Sequence, residues 1–435
     1  MFLTRFSPKN LVRKLGRVPS RIRRSLSDYR FYTYLAILGP GLIAANAGND
    51  ASGIATYSTV GAAFGYSLLW AFIPMVLSLI IVQEMCVRMG VVTGQGLADL
   101  IREQFGVRWT ALIMLTLLVA NTGVIISEFV GIAQASELLG VPRYFSIPLA
   151  AGLIWWLVVK GSQQRVERVF LVMSLVFFSY VISAFVSKPD WEAVAEGFVR
   201  PTFHTDTAYL FTIMALIGTT ITPFMQVYVQ SSVVEKQMDK DDLPLARADV
   251  IVGTTFACMI GAFIVISTAA TLHANGITTI DSAATAANSL APIAGEYAKY
   301  LFAVGLFGAA MLAMGVLPLA TAYSLSEALG FEKGISRTFR EAPIFLGIFT
   351  ALILIGSVVA LIPGIPQIRL LLFTQTINGV LLPVILFAIL SLANNEEIMG
   401  EHKNTIWLNL AAGTTAAIVS VLSVLLIGKT IADMF

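Results

Sequence analysis

Asn46-Ala-Gly-Asn-Asp-Ala-Ser-Gly53 places a carboxylate inside a segment otherwise fit to cross a lipid bilayer. Asp50 is the only charged residue between Arg30 and Glu84. An ionisable side chain at mid-span costs about 2.5–3.5 kcal/mol on insertion scales and marks a functional site by default. The neighbours are turn formers rather than helix formers. A span carrying both an acid and a helix break is suited to hold a cation at an unwound segment. Asp50 can also cap the helix that restarts after the break; the two roles are compatible.

The rest of the chain fits a membrane setting. Of 435 residues, 57% are hydrophobic and 12% charged, and the mean hydropathy is +0.81. Soluble domains carry about 25% charged residues. Spans of ~20 apolar residues fall near 33–58, 66–92, 109–135, 144–160, 165–187, 208–232, 250–272, 298–324, 343–363, 368–392 and 405–428. The expected architecture is therefore an all-α integral membrane protein of eleven transmembrane helices. A basic arm, 1–32, precedes a core over 33–395, and 396–435 holds the eleventh span. The arm has nine Lys or Arg and no long apolar run, so it reads as a cytoplasmic segment touching anionic lipid, not as a secretory signal or a nucleic-acid binder. With the N-terminus inside, only Arg143, Lys188, Arg200, Lys299, Arg369 and Lys429 lie outside, and the other 22 of 28 basic residues lie inside. This bias predicts a cytoplasmic N-terminus and an external C-terminus.

Spans one to five (33–187) and six to ten (208–392) form two halves, and an odd number of crossings inverts the second. The sixth span should then mirror the first, and Gly218-Thr-Thr-Ile-Thr-Pro223 does interrupt it. Pro223 lacks a backbone donor and frees carbonyls near the span centre. Paired interruptions of this kind point to a transporter's binding site.

The candidate ligands are all oxygen donors. Asp50 supplies the carboxylate, and Asn49, Ser52 and the 48–53 backbone lie beside it. The sixth span offers Thr219, Thr222 and Gln226; the tenth offers Gln375 and Asn378, which serve equally well as interhelical hydrogen-bonding groups. Oxygen-only sites suit Mg²⁺, Ca²⁺ or Mn²⁺. With one acid, a largely hydrated Mg²⁺ fits best, because Mg²⁺ sheds water reluctantly. Glu128, a second intramembrane acid, can line the path, relay protons or simply bond within the bundle. Met225 and Met314 read as apolar filler. Cys86 and Cys258 read as buried small side chains, and His204, His273 and His402 are too far apart in sequence to suggest a metal cluster. No cofactor is called for, and no nucleophile–base pair, HExxH or phosphate loop suggests an enzyme.

Four stretches resemble the NRAMP divalent-metal transporters. They are Gly39-Pro-Gly-Leu-Ile-Ala with Asn49-Asp50-Ala-Ser-Gly53 and Phe64-Gly-Tyr-Ser-Leu-Leu-Trp70; Gln83-Glu-Met-Cys-Val-Arg-Met-Gly-Val-Val-Thr-Gly-Gln-Gly-Leu-Ala98; Ile126-Ser-Glu-Phe-Val-Gly131; and Ala291-Pro-Ile-Ala-Gly295 with Leu301-Phe-Ala-Val-Gly-Leu306. The resemblance covers roughly 35–395. It implies the LeuT-type fold, two inverted five-helix repeats, and a metal site between unwound helices 1 and 6. The departures matter as much. The family's Asp-Pro-Gly-Asn reads Asp50-Ala-Ser-Gly53, so the ligand Asn becomes Gly53. Its Met-Pro-His reads Thr222-Pro223-Phe224, losing a thioether and a histidine tied to proton movement. The acid three residues before Glu128 falls on Ile125. These changes resemble the prokaryotic NRAMP-related magnesium transporters, and imply Asp50, Gly53, Thr219 and Thr222 around a hydrated ion with no proton coupling. The resemblance to a prokaryotic transporter family also implies the inner membrane of a bacterial cell. The expectation is a monomeric alternating-access carrier of Mg²⁺, and of Mn²⁺ less selectively. Its rivals are a proton-coupled Mn²⁺/Fe²⁺ importer and a Na⁺-coupled organic-solute symporter.

Overall fold

A computed structural model describes residues 40–161, 163–288, 298–364 and 366–433. The basic arm 1–32, the start of the first span and the 291–295 motif lie outside the described residues. The main helices are α1 (Pro40–Ala47), α2 (Ala51–Phe64), α3 (Phe72–Thr93), α4 (Leu97–Leu138), α5 (Arg143–Lys160), α6 (Gln163–Met173), α7 (Phe178–Val186) and α8 (Trp191–Val199). The second half follows as α9 (Thr207–Thr220), α10 (Pro223–Glu235), α11 (Leu243–Thr271), α12 (Ala298–Leu329), α13 (Pro343–Ala360), α14 (Gln367–Asn394) and α15 (Ile406–Ala432). No strand occurs among the described residues.

Nine stretches of the described residues are long and apolar enough to cross a membrane. The sequence predicts eleven. Of the remaining two, the first span is divided into α1 and α2, of 8 and 14 residues. The fourth, α5, has 18 residues with Arg143 and Lys160 at its ends. The third expected span, 109–135, is longer than its apolar core suggested. α4 runs from Leu97, and Gly106 (φ 72°, ψ 174°) breaks it into a short leading segment and the apolar span. The fifth expected span is two helices, α6 and α7, joined by a 3₁₀ turn over Ser174–Phe177.

Side chains are sorted inside out relative to a soluble protein. On α15, Leu410, Ile418, Val421 and Val424 face outward, while Ala412, Thr415 and Ser423 turn inward. Small and hydroxylated residues let helices approach and bond, as Ser78 Oγ and Thr415 Oγ1 do at 2.7 Å, and the large apolar side chains are left for lipid.

The packing fixes both broken spans. The most extensive helix pair among the described residues is α4 with α12; α1 and α2 lie against α11, and α9 runs along α14. Asp249 of α11 accepts from the Gly41 amide (2.7 Å) and the Leu42 amide (3.4 Å), satisfying donors that α1 cannot satisfy itself. α9 approaches α14 backbone to backbone at Gly218, where a Cβ would lie 2.0 Å from the Gln375 carbonyl oxygen and 2.5 Å from the Gly379 nitrogen. That contact carries Gln375 to the centre of the molecule.

Candidate metal site

Each broken span stops where its sequence chemistry stops it. After Ala47 the chain leaves the helix, and Asp50 takes an extended conformation (φ −69°, ψ −178°) as the N-cap of α2. In the other half, Ile221 (φ −118°, ψ 66°) ends α9 and Thr222 (φ −78°, ψ 144°) is extended. Pro223 pushes its predecessor out of the helical region and then serves as the first helical residue, where its missing N–H costs nothing. The two breaks face each other. Thr219 Oγ1 donates to the Gly48 carbonyl oxygen at 3.2 Å.

Two carboxylates meet the start of α2. The Gly53 amide donates to Asp50 Oδ1 at 2.5 Å. The Ala51 and Ser52 amides donate to Glu128 Oε2 (2.9 Å) and Oε1 (3.2 Å), and Ser52 Oγ donates to Glu128 Oε1 at 2.8 Å. A helix N-terminus exposes unpaired amides and a partial positive charge, so it favours acids. Glu128 therefore has a local task, tying α4 to α2. Asp50 keeps more freedom: Oδ2 is met by Gln375 Nε2, which stands 3.3 Å from each of the two carboxylate oxygens. Gln375 is itself oriented by Asn378 Nδ2, which donates to its Oε1 at 3.0 Å.

Gly53 marks the point where the oxygens converge. A Cβ there would lie 2.5 Å from the Gly48 carbonyl oxygen, 2.8 Å from Thr219 Oγ1 and 3.2 Å from Asp50 Oδ1. Three oxygens from the two broken spans thus crowd one point, too closely to admit a methyl group. Gly53→Ala is expected to destabilise the protein by about 1–3 kcal/mol through overpacking, read as a lower unfolding midpoint in detergent. An unchanged midpoint would mean these oxygens part freely and form no fixed cradle.

Other candidates occupy different positions. Thr222 is fully buried beside the break, and its Oγ1 has no hydrogen-bond partner; Gln226 Oε1 and Asn378 Oδ1 share that condition. Asn49 turns away, donating from Nδ2 to the Ala257 carbonyl oxygen of α11 at 3.0 Å. Ser52 Oγ is engaged by Glu128 and by Ser127 Oγ (2.8 Å). Ile125 is buried, its Cγ2 packed where a Cβ on Gly356 of α13 would lie, and Phe224 is buried as well. Among the described residues, no three His, Cys, Asp or Glu side chains gather at one point. Cys86 and Cys258 are buried and unpaired with each other.

Two residues at the site escaped the sequence reading. The Met225 methyl fills the space beside Gly48, where a Cβ would lie 1.9 Å from it, and the Met225 sulfur accepts from Gln83 Nε2 at 3.9 Å. Gln83 was visible as an amide in an apolar span. Met225 offered no signal, because a methionine three residues after a helix break has the composition of ordinary filler.

The comparisons with known proteins agree with this geometry. The family model for natural resistance-associated macrophage protein-like (Nramp) proteins matches residues 41–429. The divalent metal cation transporter MntH of Deinococcus radiodurans is 29% identical over 361 residues, covering 78% of this chain and 82% of its own. The manganese transporter of Eremococcus coleocola superposes with a TM-score of 0.74 at 18% identity, over 93% of this chain and 88% of that one. Mhp1, a nucleobase-cation-symport-1 family transporter in a closed conformation, superposes with a TM-score of 0.54 at 14% identity, over 91% of each chain. These structural likenesses establish the LeuT-type fold, with its two inverted five-helix repeats and broken helices 1 and 6. A break at matching places in both halves, an acid at the first, and a family model spanning nearly the whole chain lead to one assignment: the protein belongs to the Nramp family.

Proposed function

We propose that this protein is an alternating-access carrier of divalent metal cations that takes up Mg²⁺, and Mn²⁺ less selectively, as a largely hydrated ion without proton coupling. The observation that carries this reading is the oxygen cradle around Gly53. One carboxylate, one backbone carbonyl and one hydroxyl converge there. Asp50, Thr219 and Thr222 are each buried with no measurable exposure. A cation that enters as the two broken spans part meets one formal charge and neutral hard oxygens, which suits Mg²⁺ that keeps several waters. Thr222 offers a hydroxyl where a thioether would favour softer metals. Gln375 supports Asp50 from α14, and Asn49, Ser52 and Glu128 hold the surrounding backbone.

The uncoupled reading rests on what surrounds Glu128. Its carboxylate is engaged by two helix amides and a serine hydroxyl, Ile125 one turn before it is apolar, and the residue after Pro223 is the buried, apolar Phe224. Coupling is also unnecessary for uptake. A membrane potential of 100 mV favours inward movement of a divalent ion by about 4.6 kcal/mol, twice the single-charge value. The same reading takes the protein as a monomer in a bacterial inner membrane, as its MntH relatives suggest, with the N-terminus cytoplasmic and the C-terminus outside on the strength of the basic-residue asymmetry. The LeuT-type chain acts as a carrier and not as an enzyme.

Proteoliposomes loaded with a pH dye and a metal-sensitive dye test this directly. Mg²⁺ and Mn²⁺ should enter without internal acidification, in proportion to the imposed negative potential. Acidification that tracks metal entry would overturn the uncoupled reading in favour of a proton-coupled importer. Entry of Mn²⁺ with exclusion of Mg²⁺ would overturn the choice of ion.

A further inference from the structure

Below the broken sixth span, α10 carries polar residues four apart: Thr222 at its N-cap, then Gln226 and Gln230. Spacing of four keeps side chains on one face of a helix, about 6 Å apart along it. All three are fully buried. Gln230 faces α3: a Cβ on Gly90 would lie 3.1 Å from its Cγ and 3.1 Å from its carbonyl oxygen. Two helical turns away along α3, Gln83 meets Met225 of α10. The row therefore follows the seam between α3 and α10, away from the Asp50 site.

The amides along this seam share a pattern. Each nitrogen has a partner: Gln83 Nε2 donates to Met225 Sδ (3.9 Å), Gln226 Nε2 to the Thr222 carbonyl oxygen (3.3 Å) and Gln230 Nε2 to the Gln95 carbonyl oxygen (3.0 Å). Each side-chain oxygen has none, and neither has Thr222 Oγ1. Buried polar atoms in native proteins are nearly always satisfied, so four orphaned oxygens in one row call for an explanation. Glutamines that served only to glue helices together would use both ends of the amide. Here the acceptor ends are left for a donor or a cation.

We propose that Thr222, Gln226 and Gln230 of α10, with Gln83 of α3, line the inner half of the permeation path and pass a hydrated divalent cation from Asp50 toward the far end of α10. The inference rests on the transport reading above. Neutral oxygens suit this role: they bind the water shell of a hard cation weakly enough to release it, whereas a row of carboxylates would retain it. At the far end Ser231 Oγ donates to Glu327 (2.7 Å); Lys333 stands 3.3 Å from Glu327 and 2.5 Å from Asp99, and Arg102 stands 3.7 Å from Asp99, so two carboxylates face two cations. The outlet is therefore not an ion trap. The Met225 methyl packs against Gly48 at the break that holds Asp50, so opening the path below Thr222 moves Met225 off Gly48.

The test uses the full-length chain and Mn²⁺ as probe, with binding measured by titration in detergent and flux in proteoliposomes. The pair Q226L/Q230L should lower the Mn²⁺ uptake rate at least tenfold while leaving the dissociation constant within threefold of the original. The pair Q226N/Q230N, which keeps the oxygens, should retain at least a third of the rate. Uptake by the Leu pair within twofold of the unmodified protein would overturn the path. Equal loss in the Leu and Asn pairs would also overturn it, by assigning these residues to packing. If the Leu pair does not fold, Q230C in a C86A/C258A background decides: Mn²⁺ should slow its labelling by a thiol reagent at least fivefold during transport, and absence of labelling would overturn the path. An unmodified protein that carries no divalent metal would instead remove the transport reading itself, a result distinct from a failure of the row alone.

Discussion

Asp50→Asn should abolish divalent-metal flux while leaving the protein folded. The two substitutions Asp50→Asn and Asp50→Ala separate the roles that Asp50 combines. As the N-cap of α2 it accepts from the Gly53 amide, and an asparagine oxygen can do the same. As the formal charge in the cradle it has no neutral substitute, because the Gly48 carbonyl and Thr219 hydroxyl supply only dipoles. Asn should therefore lower metal affinity at least a hundredfold, with an unfolding midpoint close to the original. Ala should lose the same affinity and about 1 kcal/mol of capping in addition. Flux in vesicles and midpoints in detergent check both halves. Normal flux through Asp50→Ala would remove the site assignment.

Glu128→Ala should have the largest effect on stability. It strands two buried helix amides, of Ala51 and Ser52, while the Ser52 hydroxyl keeps Ser127 Oγ. Unsatisfied buried groups cost about 1–3 kcal/mol each, which puts the loss on the order of 2–6 kcal/mol. Glu128→Gln should lose roughly half of that. Its oxygen can serve one amide, but its NH₂ group then faces the other donor. The measurement is the denaturation midpoint, together with the monodisperse yield, of Ala, Gln and unmodified proteins. A carboxylate whose main task is proton relay gives a different outcome, in which Glu128→Gln is as stable as the unmodified protein and changes only the pH response of transport.

Much of this was legible in the sequence because it depends on local chemistry. Gly48, Asn49 and Asp50 cannot continue a helix cheaply, and the structure breaks α1 from α2 there. Pro223 forces Thr222 into an extended conformation, and α9 ends just before it. The membrane setting follows from hydropathy alone. What stayed hidden depends on tertiary direction. Asn49 and Ser52 sit in the right segment, yet their side chains turn to α11 and α4, which no local pattern dictates. The leading segment of α4 was obscured because Gly106 and its polar neighbours read as a loop before the apolar run. α8 went unread for its brevity; Asp190 caps it by accepting from the Glu192 and Ala193 amides at 3.0 and 3.2 Å. Gln230 was missed because the significance of an amide lies in which of its two ends is left unpaired, and that is settled only by its neighbours.

The proposed hydrated divalent ion sits between the broken spans, at the cradle of Asp50, Gly53 and Thr219 with Thr222 beside the second break. Anomalous scattering from crystals of the full chain grown with Mn²⁺ locates that ion directly. The expected result is a single strong peak between the two broken spans, with Asp50 the nearest charged group. At most one or two protein oxygens should stand at the direct-coordination distance of about 2.1 Å for an octahedral hard ion, with water completing the shell. A peak away from Asp50, or a stripped ion held by four or more protein atoms including the Met225 sulfur, would contradict it.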